Sequence, residues 1–296
     1  MNSRNRYLYL LPAMFLVACV AGERREVTIN RTWPADGIHR VHVNEVNGSV
    51  NVEAGNPNEI SLVAHVRAYD RPKPNEDNQG YFKSNVNGDT LDIGRQSHGS
   101  IRFIGIHFGD DVQVDYSLRV PPALELELKT VNGRIATHGI DGATEAKSVN
   151  GEINLENAGT SDVEAHTVNG KVMAKFVRDF QGAHLKTVNG RVVAVLPPNA
   201  SFACDLSQVN GDFEASFPLS IHSHPGSRRV QGDVNGGLHE LRISTVNGDI
   251  RLENGVALPV PPVPPVHALP APSVPSERPA LPAMPAPPAP PNPTTR

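Results

Sequence analysis

Apolar and polar residues alternate along the segments that flank a recurring tripeptide, Val-Asn-Gly. The tripeptide occurs nine times, and its four spacings from Asn132 to Asn210 increase from 18 to 21 residues. An alternation of period two places successive side chains on opposite faces of a β-strand. The pattern therefore predicts a repeat in which each unit has two half-buried strands, a constant Asn-Gly turn and a second, variable turn.

Aligning the copies on the asparagine separates inward columns from outward ones. The residues six and four positions before it and three after it are almost all apolar, as in Leu126, Leu128 and Ile135. The columns between them are polar or charged and include Glu127, Glu145, Glu164, Lys129, Lys147 and Lys186. Opposite charges in neighbouring columns compensate one another, which indicates a solvated face. A binding face for a charged glycan or peptide is the alternative.

Two copies of the tripeptide lose this register. The fifth residue after Asn87 is Asp92 and the fifth after Asn235 is Glu240, where regular copies have an apolar residue or, at Thr137, an uncharged one. We therefore interpret these two as turns outside the repeat. Asn47 keeps the register, which indicates a related unit near the N-terminus.

The Asn-Gly pairs are the predicted structural turns, because both residues tolerate positive φ. They are Asn132, Gly133, Asn150, Gly151, Asn169, Gly170, Asn189, Gly190, Asn210, Gly211, Asn247 and Gly248. The chain is thus predicted to be all-β, either a β-solenoid with 18–21 residues per coil or an antiparallel meander or sandwich with type I′ hairpins. Periodicity alone does not separate these. The Asn247 unit, last in the chain, is expected to form the terminal rung.

The order of these segments resembles a known family. A strand that ends in Arg119-Val-Pro-Pro122 is followed by the Val-Asn-Gly units and by Leu241-Arg-Ile-Ser-Thr-Val-Asn-Gly-Asp-Ile-Arg-Leu252. This order is similar to that of the bacterial putative-adhesin family of β-strand-repeat envelope proteins. The resemblance implies a right-handed, β-helix-like solenoid and carries no catalytic signature.

The N-terminus has the features of an export signal. Arg4 and Arg6 precede an apolar run that ends at Ala18, and this run is too short to span a bilayer comfortably. Residues 16–19, Leu-Val-Ala-Cys, resemble the bacterial lipoprotein box, which makes Cys19 the predicted lipidation site. Val20 is not the aspartate that retains such proteins at the inner membrane, so an outer-membrane anchor is favoured. A signal cleaved after Ala21 or an uncleaved anchor are the alternatives.

These features divide the chain into five segments. They are a lipoprotein signal peptide (1–18), a short linker (19–26), an N-terminal β segment (27–120), the repeat (121–255) and a proline-rich tail (256–296). The tail contains 16 of the 27 prolines and is expected to be an extended spacer. Ile101–Phe108 is predicted to be a core strand, and Cys204, at an inward position, a buried core residue.

Composition and motifs argue against several classes of function. A net charge of −4 and a single Trp argue against nucleic-acid binding. The sequence has no Gly-x-Ser-x-Gly, Walker-type or His-Glu-x-x-His motif, and His222 and His224 have no third ligand nearby, so we expect no catalytic residue, metal or cofactor. We predict a non-enzymatic, lipid-anchored envelope protein, either adhesin-like or an envelope-stress scaffold. Its expected partners are the membrane, through the lipid, and a protein, glycan or peptidoglycan ligand. A β-helix carbohydrate-active enzyme is the alternative.

Overall fold

The computed structural model describes residues 24–69, 81–95, 112–157, 162–178, 180–224 and 227–255. All of them belong to the compact unit Met1–Leu258. The predicted signal peptide, Cys19, Ile101–Phe108 and the proline-rich tail lie outside the described residues.

The strands cover most of the described chain. In chain order they are β1 (Arg24–Pro34), β2 (Arg40–Asn44), β3 (Val50–Ala54), β4 (Glu59–Tyr69), β5 (Phe82–Asn87), β6 (Thr90–Arg95), β7 (Val112–Val120), β8 (Glu125–Asn132), β9 (Ile135–His138), β10 (Thr144–Asn150), β11 (Ile153–Asn157), β12 (Val163–His166), β13 (Val172–Phe176), β14 (Ala183–Lys186), β15 (Val192–Leu196), β16 (Phe202–Asn210), β17 (Phe213–Ala215), β18 (Ser220–His224), β19 (Ser227–Val234), β20 (His239–Asn247) and β21 (Ile250–Asn254).

The described residues form two large, mostly parallel sheets and no helix, as the all-β prediction requires. Sheet I has ten strands in the order β1-β4-β7-β3-β9-β11-β13-β15-β21-β17. Sheet II has eleven strands in the order β18-β19-β16-β20-β14-β12-β10-β8-β2-β6-β5.

Each Asn-Gly turn of the repeat leads from a strand of sheet II to a strand of sheet I. Strand β8 pairs in parallel with β10, which places Asn132 opposite Asn150, and β9 pairs in parallel with β11. We call one strand–turn–strand unit a rung. Because the two arms of a rung lie in different sheets, its turn does not close a hairpin. The antiparallel meander that the periodicity also allowed is therefore not the arrangement of the repeat.

Seven rungs stack in parallel, but their order in space differs from their order in the chain. The rung of β20 and β21 is the last in the chain, yet it lies between the β14–β15 rung and the β16–β17 rung. Named by their asparagines, the rungs follow the spatial order Asn47, Asn132, Asn150, Asn169, Asn189, Asn247 and Asn210. The expectation that the Asn247 rung is terminal is therefore wrong.

The asparagine side chains of the seven rungs form a hydrogen-bonded ladder. At each step the Nδ2 atom of one asparagine donates to the Oδ1 atom of the asparagine before it in the stack, over 2.8 to 3.0 Å. Parallel strands about 4.8 Å apart hold identical side chains in register. Each interior asparagine therefore satisfies its amide group through its two neighbours.

The glycine after each asparagine is required because consecutive rungs approach closely at this turn. A Cβ atom on Gly151 would lie 1.8 Å from the carbonyl oxygen of Gly133, and a Cβ atom on Gly170 would lie 2.0 Å from that of Gly151. Neither Gly151 nor Gly170 has a positive φ. Steric exclusion between rungs, and not the left-handed backbone expected for an Asn-Gly pair, thus explains these glycines.

A buried polar column runs beside the asparagine ladder. Its side chains donate to the carbonyl oxygen of the glycine in the preceding rung, over 2.8 to 3.4 Å. The members are Thr130, Ser148, Thr167, Thr187, Thr245 and Gln208. In the first rung this position is Glu45, whose carboxylate accepts hydrogen bonds from the Tyr116 hydroxyl and from the backbone N–H groups of Val46 and Asn47. This polar column is therefore a buried anchor for the turns.

The space between the sheets is filled by the inward columns of the alignment. The residues four positions before each asparagine are at most 1% exposed, and they are Val43, Leu128, Ala146, Ala165, Leu185, Ile243 and Leu206. Burying one Val, Leu or Ile side chain contributes about 1.5 to 3 kcal/mol. Antiparallel strands flank the stack, with β1, β4 and β5 at one end and β18 and β19 at the other.

The two tripeptides that lose the register form turns outside the rungs, as predicted. Asn87 and Gly88 close the antiparallel β5–β6 hairpin. Asn235 lies in the connection between β19, which pairs antiparallel with β16, and β20. Gly88 has a φ of 62° and Asn235 a φ of 49°. Left-handed backbone is used at these two turns.

Candidate functional site

A groove crosses the outer face of sheet II where the variable turns enter β8, β10, β12 and β14. Its volume is about 550 Å³. Six carboxylates and two guanidinium groups line it, which gives these side chains a net charge of −4; they are Glu125, Glu127, Glu145, Asp162, Glu164, Glu240, Arg40 and Arg242. No Phe, Tyr or Trp is among the described residues of this lining. The groove therefore offers charge rather than a stacking surface.

Ion pairs neutralise the two ends of the groove. Arg40 donates to Oε2 of Glu125 from both Nε and Nη2, at 3.0 and 2.6 Å. Arg242 pairs with Glu240 on its own strand. Because each arginine is matched by a groove carboxylate, neither end carries excess charge.

Lysines beside the groove neutralise two more of its carboxylates. Lys129 donates to Glu127 and Lys147 donates to Glu145, in both cases across two positions of one strand. The hydrogen bond that Glu127 accepts from Lys129 lowers the pKa of Glu127, and the hydrogen bond that Lys147 donates to Glu145 raises the pKa of Lys147. The mutually compensated face predicted from the columns is therefore present in the Asn132 and Asn150 rungs.

The negative charge of the carboxylates is incompletely compensated in the middle of the groove, at the Asn169 rung. Asp162 has no ion-pair partner among the described residues, and the nearest cation to Glu164 is the Nζ atom of Lys147, at 3.9 Å. Lys147 itself already contacts Glu145. Asp162 and Glu164 therefore concentrate negative charge at the centre of the lining.

Two histidines stand beside this acidic centre. Glu164 and His166 lie two positions apart on β12, and His184 on the parallel strand β14 is the register partner of Glu164. One ligand atom from each of these three residues lies within 4.8 Å of the other two. The rings of His166 and His184 pack edge to face, with centroids 5.2 Å apart. The three side chains thus converge on one point of the outer face.

His166 contributes an enclosed ring nitrogen to this group. Its Nε2 atom lies 3.5 Å from Oε1 of Glu164, and this buried nitrogen makes no hydrogen bond. Burial lowers the pKa of His166, and the positive charges of His184, Lys147 and Lys186 lower it further, against the opposing effect of Glu164. At neutral pH the imidazole is therefore unprotonated and offers a nitrogen lone pair.

The sequence analysis missed this cluster, although its alignment contains the signal. His166 occupies the column that also holds Lys129, Lys147 and Lys186, and the same alignment places His184 in the column of the glutamates. Parallel stacking of consecutive units brings these two departures together. They become a site only once the strand pairing is known.

The other predicted site residues lie elsewhere. The Asn-Gly turns form the ladder at the opposite end of the β12 and β14 strands from the groove. Cys204 is buried and unpaired, and burial raises the pKa of its thiol to about 11, as suits a core residue. His222 and His224 lie on β18, and their side chains are outside the described residues, as is Cys19.

A column of valines is exposed along the asparagine ladder. The valine before the asparagine is 37 to 47% exposed in five rungs, at Val131, Val149, Val168, Val209 and Val246. Because the preceding polar residue points inward, the valine points outward, where a β-branched side chain suits an extended backbone. The repeat therefore presents a narrow apolar stripe distinct from the acidic groove.

The family assignment follows from comparison with family models. The model described as Toastrack DUF4097 matches residues 8–253, which is most of the chain. The protein belongs to the Toastrack DUF4097 family. No curated protein matches the chain.

The solved structures that match the chain are remote in sequence. A "putative cell adhesion protein" from Clostridium sporogenes ATCC 15579 is 11% identical, with a TM-score of 0.40, over 78% of this chain and all of that one. A "putative adhesin" from Bacteroides fragilis NCTC 9343 is 9% identical, with a TM-score of 0.29, over 76% of this chain and 96% of that one. A "putative lipid binding protein" from Parabacteroides distasonis ATCC 8503 is 11% identical, with a TM-score of 0.29, over 77% and 95% of the two chains.

The described part of the chain was also searched for membrane-spanning helices. It contains no helix long and apolar enough to cross a bilayer.

Proposed function

We propose that this protein is a non-enzymatic, adhesin-like protein of the cell envelope that binds cationic groups of a peptide or glycan in the groove of sheet II. The observation that carries the proposal is the incompletely compensated negative charge of Asp162 and Glu164 in the centre of the groove. A rigid face with fixed charge attracts a cationic ligand without the cost of ordering loops. Cys19, acylated and left as the first residue of the mature chain by signal cleavage, anchors the protein to the outer membrane.

The stack of rungs supplies the rigidity that this function needs. We infer that the rungs are coils of a right-handed β-solenoid, since parallel strands joined by a crossover are right-handed in almost all proteins. Parallel pairing, the asparagine ladder and the polar column restrain each rung through its neighbours. The groove, which spans several rungs, is thereby held in one shape.

The groove gives little support to the alternative of glycoside hydrolysis. That reaction needs a carboxylic acid with a raised pKa facing a second carboxylate across the scissile bond. The pKa of Glu127 is lowered by its hydrogen bond from Lys129, and this carboxyl group is therefore ionised at neutral pH. Binding, rather than acid catalysis, suits such a group.

Neutralising the centre of the groove should weaken binding of a cationic peptide. We expect the double variant Asp162→Asn, Glu164→Gln to bind fluorescent hexalysine about 10-fold or more weakly, because each lost charge removes about 1 kcal/mol at 4 Å in water. The measurement is fluorescence anisotropy at low and physiological salt, since salt screens such contacts.

The control has the same net charge but an intact groove. The double variant Asp36→Asn, Glu253→Gln also removes two exposed carboxylates, and both of these lie outside the groove lining. It should bind hexalysine as the unmodified protein does. If the two double variants lose the same affinity, the peptide senses net charge alone and the groove is not the binding site.

The lipid anchor is tested by fractionation. Cys19→Ala should move the protein from the membrane fraction to the soluble fraction, because the acyl chains that hold a lipoprotein in the bilayer contribute about 0.8 kcal/mol per buried CH₂. Metabolic labelling with an alkyne fatty acid should mark the unmodified protein and not the variant. Equal membrane partition of the two proteins, or labelling of the variant, would contradict the anchor.

A further inference from the structure

We propose that Glu164, His166 and His184 bind a divalent transition-metal ion, and that zinc is the ion that this set of ligands fits best. This site shares Glu164 with the proposed binding site for a cationic ligand, but it does not rest on that proposal, because it also needs the two histidines, and His166→Ala and His184→Ala test it without changing the carboxylates of the groove.

The geometry of parallel strands creates the site. Residues two apart on one strand point to the same face, and the register partner on the next strand completes a triangle. Glu164 and His166 supply the first two corners and His184 the third. Two ligand atoms about 2.0–2.2 Å from a tetrahedral zinc ion lie about 3.4 Å apart. The Nε2 atom of His166 and the Oε1 atom of Glu164 are 3.5 Å apart, already at this separation.

The kinds of ligand select the metal. Two imidazoles and one carboxylate are a common zinc set, whereas Ca²⁺ and Mg²⁺ prefer oxygen ligands alone. The Nε2 atom of His166 is enclosed and makes no hydrogen bond, which is costly for a buried polar atom unless a ligand or metal satisfies it. A metal ion would therefore satisfy an atom that the described protein leaves without a partner.

Three cationic side chains surround the site and must be accommodated. Lys147 lies 3.9 Å from Glu164, Lys186 is the register partner of His166, and Arg242 is the register partner of His184. Lys147 and Arg242 each contact another carboxylate, Glu145 and Glu240 respectively. The charges of Lys147 and Arg242 are therefore largely compensated before a metal binds, and Lys186 is the cation whose repulsion a bound metal must overcome.

Three protein ligands leave a fourth coordination position open. Side chains of Glu164 and His166 remain 42% and 29% exposed, so the open position faces solvent on the outer surface. A water molecule or a donor group of a bound molecule would complete the tetrahedron. The metal would thus lie at the edge of the groove rather than in the core.

The test is a titration of the metal-free full chain with Zn²⁺ by calorimetry, and with Co²⁺ by its visible absorption. We expect saturable binding of one ion and the intense bands of tetrahedral cobalt. His166→Ala, His184→Ala and Glu164→Gln should each weaken binding by about 10-fold or more. His138→Ala is the matched control, because His138 also pairs with a glutamate, Glu156, but lies in sheet I; it should leave the affinity unchanged.

Thermal melts separate loss of a ligand from loss of the fold. Zn²⁺ should raise the melting temperature of the unmodified protein and of His138→Ala, since a ligand that binds only the folded state stabilises it. The three site variants should melt normally without metal and gain no stability from it. If His166→Ala and His184→Ala keep the affinity of the unmodified protein, the metal binds at other histidines and the proposal is overturned.

Discussion

Gly170→Ala should destabilise the protein by about 3 kcal/mol or more, although it adds a single methyl group to an apparently exposed turn. The added Cβ atom would lie 2.0 Å from the carbonyl oxygen of Gly151. Both backbones are fixed, because Gly170 donates its N–H to Asn189 and Gly151 donates its N–H to Asn169. Overpacking in a region that cannot move costs typically 1–3 kcal/mol and sometimes more. Urea unfolding followed by circular dichroism measures the loss.

The matched control is Gly88→Ala, in an Asn-Gly pair outside the stack. Gly88 has a φ of +62°, and no atom lies within 4 Å of the position of its added Cβ. An alanine there should cost about 1–2 kcal/mol, the usual penalty for an L-residue in the left-handed region. A loss at Gly170 no larger than the loss at Gly88 would show that contact between rungs does not make Gly170 necessary.

The comparison of these two glycines shows which features of the fold can be predicted from the sequence alone. The alternation around each asparagine correctly assigns inward residues such as Leu128 and Leu185, because period two is a property of any strand. The role of the glycine could not be derived from the dipeptide alone. Its neighbour in space, the glycine of the next rung, is 18 to 20 residues away in the chain from Gly133 to Gly190, and the clash appears only when the strands pair in parallel.

The candidate site could also be predicted only in part, because some of its contacts form only when strands pair in parallel. The columns of Glu127, Glu145 and Lys129 were recognised as a compensated face, and their ion pairs lie within single strands. The group of Glu164, His166 and His184 depends on pairing between two strands. His166 and His184 each differ from the other residues of their columns. These differences indicate a site only when the pairing of β12 with β14 places the two histidines side by side.

The order of the rungs is the part of the fold that chain order predicted wrongly. After β16 and β17 the chain returns along β19 and inserts β20 on the far side of β16. Burial distinguishes the inserted rung from the terminal Asn210 rung. Ile250 and Leu252 of the inserted rung are fully buried, whereas Phe213 is partly exposed and Ala215 exposed at the same positions of the Asn210 rung. Because all four residues are apolar, their pattern in the sequence does not show which of the two rungs lies at the edge of the stack.

Removing the inserted rung should abolish cooperative folding. A chain that ends at Gly237 lacks β20 and β21, and with them Leu241, Ile243, Ile250 and Leu252, each at most 1% exposed. Losing one buried Leu or Ile side chain costs about 2–5 kcal/mol, so four together reach on the order of 10 kcal/mol, comparable with the whole stability of a typical domain. Thermal unfolding should show no sharp transition.

A chain that ends at Gly255 is the control for this truncation. It retains every described strand and removes only the proline-rich tail, and its melting temperature should lie within a few degrees of that of the full chain. The informative alternative concerns β16, which carries its own inward residues, Cys204 and Leu206. If the chain ending at Gly237 still melts cooperatively, β16 has moved inward to pair with β14. The inserted rung would then be dispensable, because in a stack of near-identical rungs each interface can be replaced by the next.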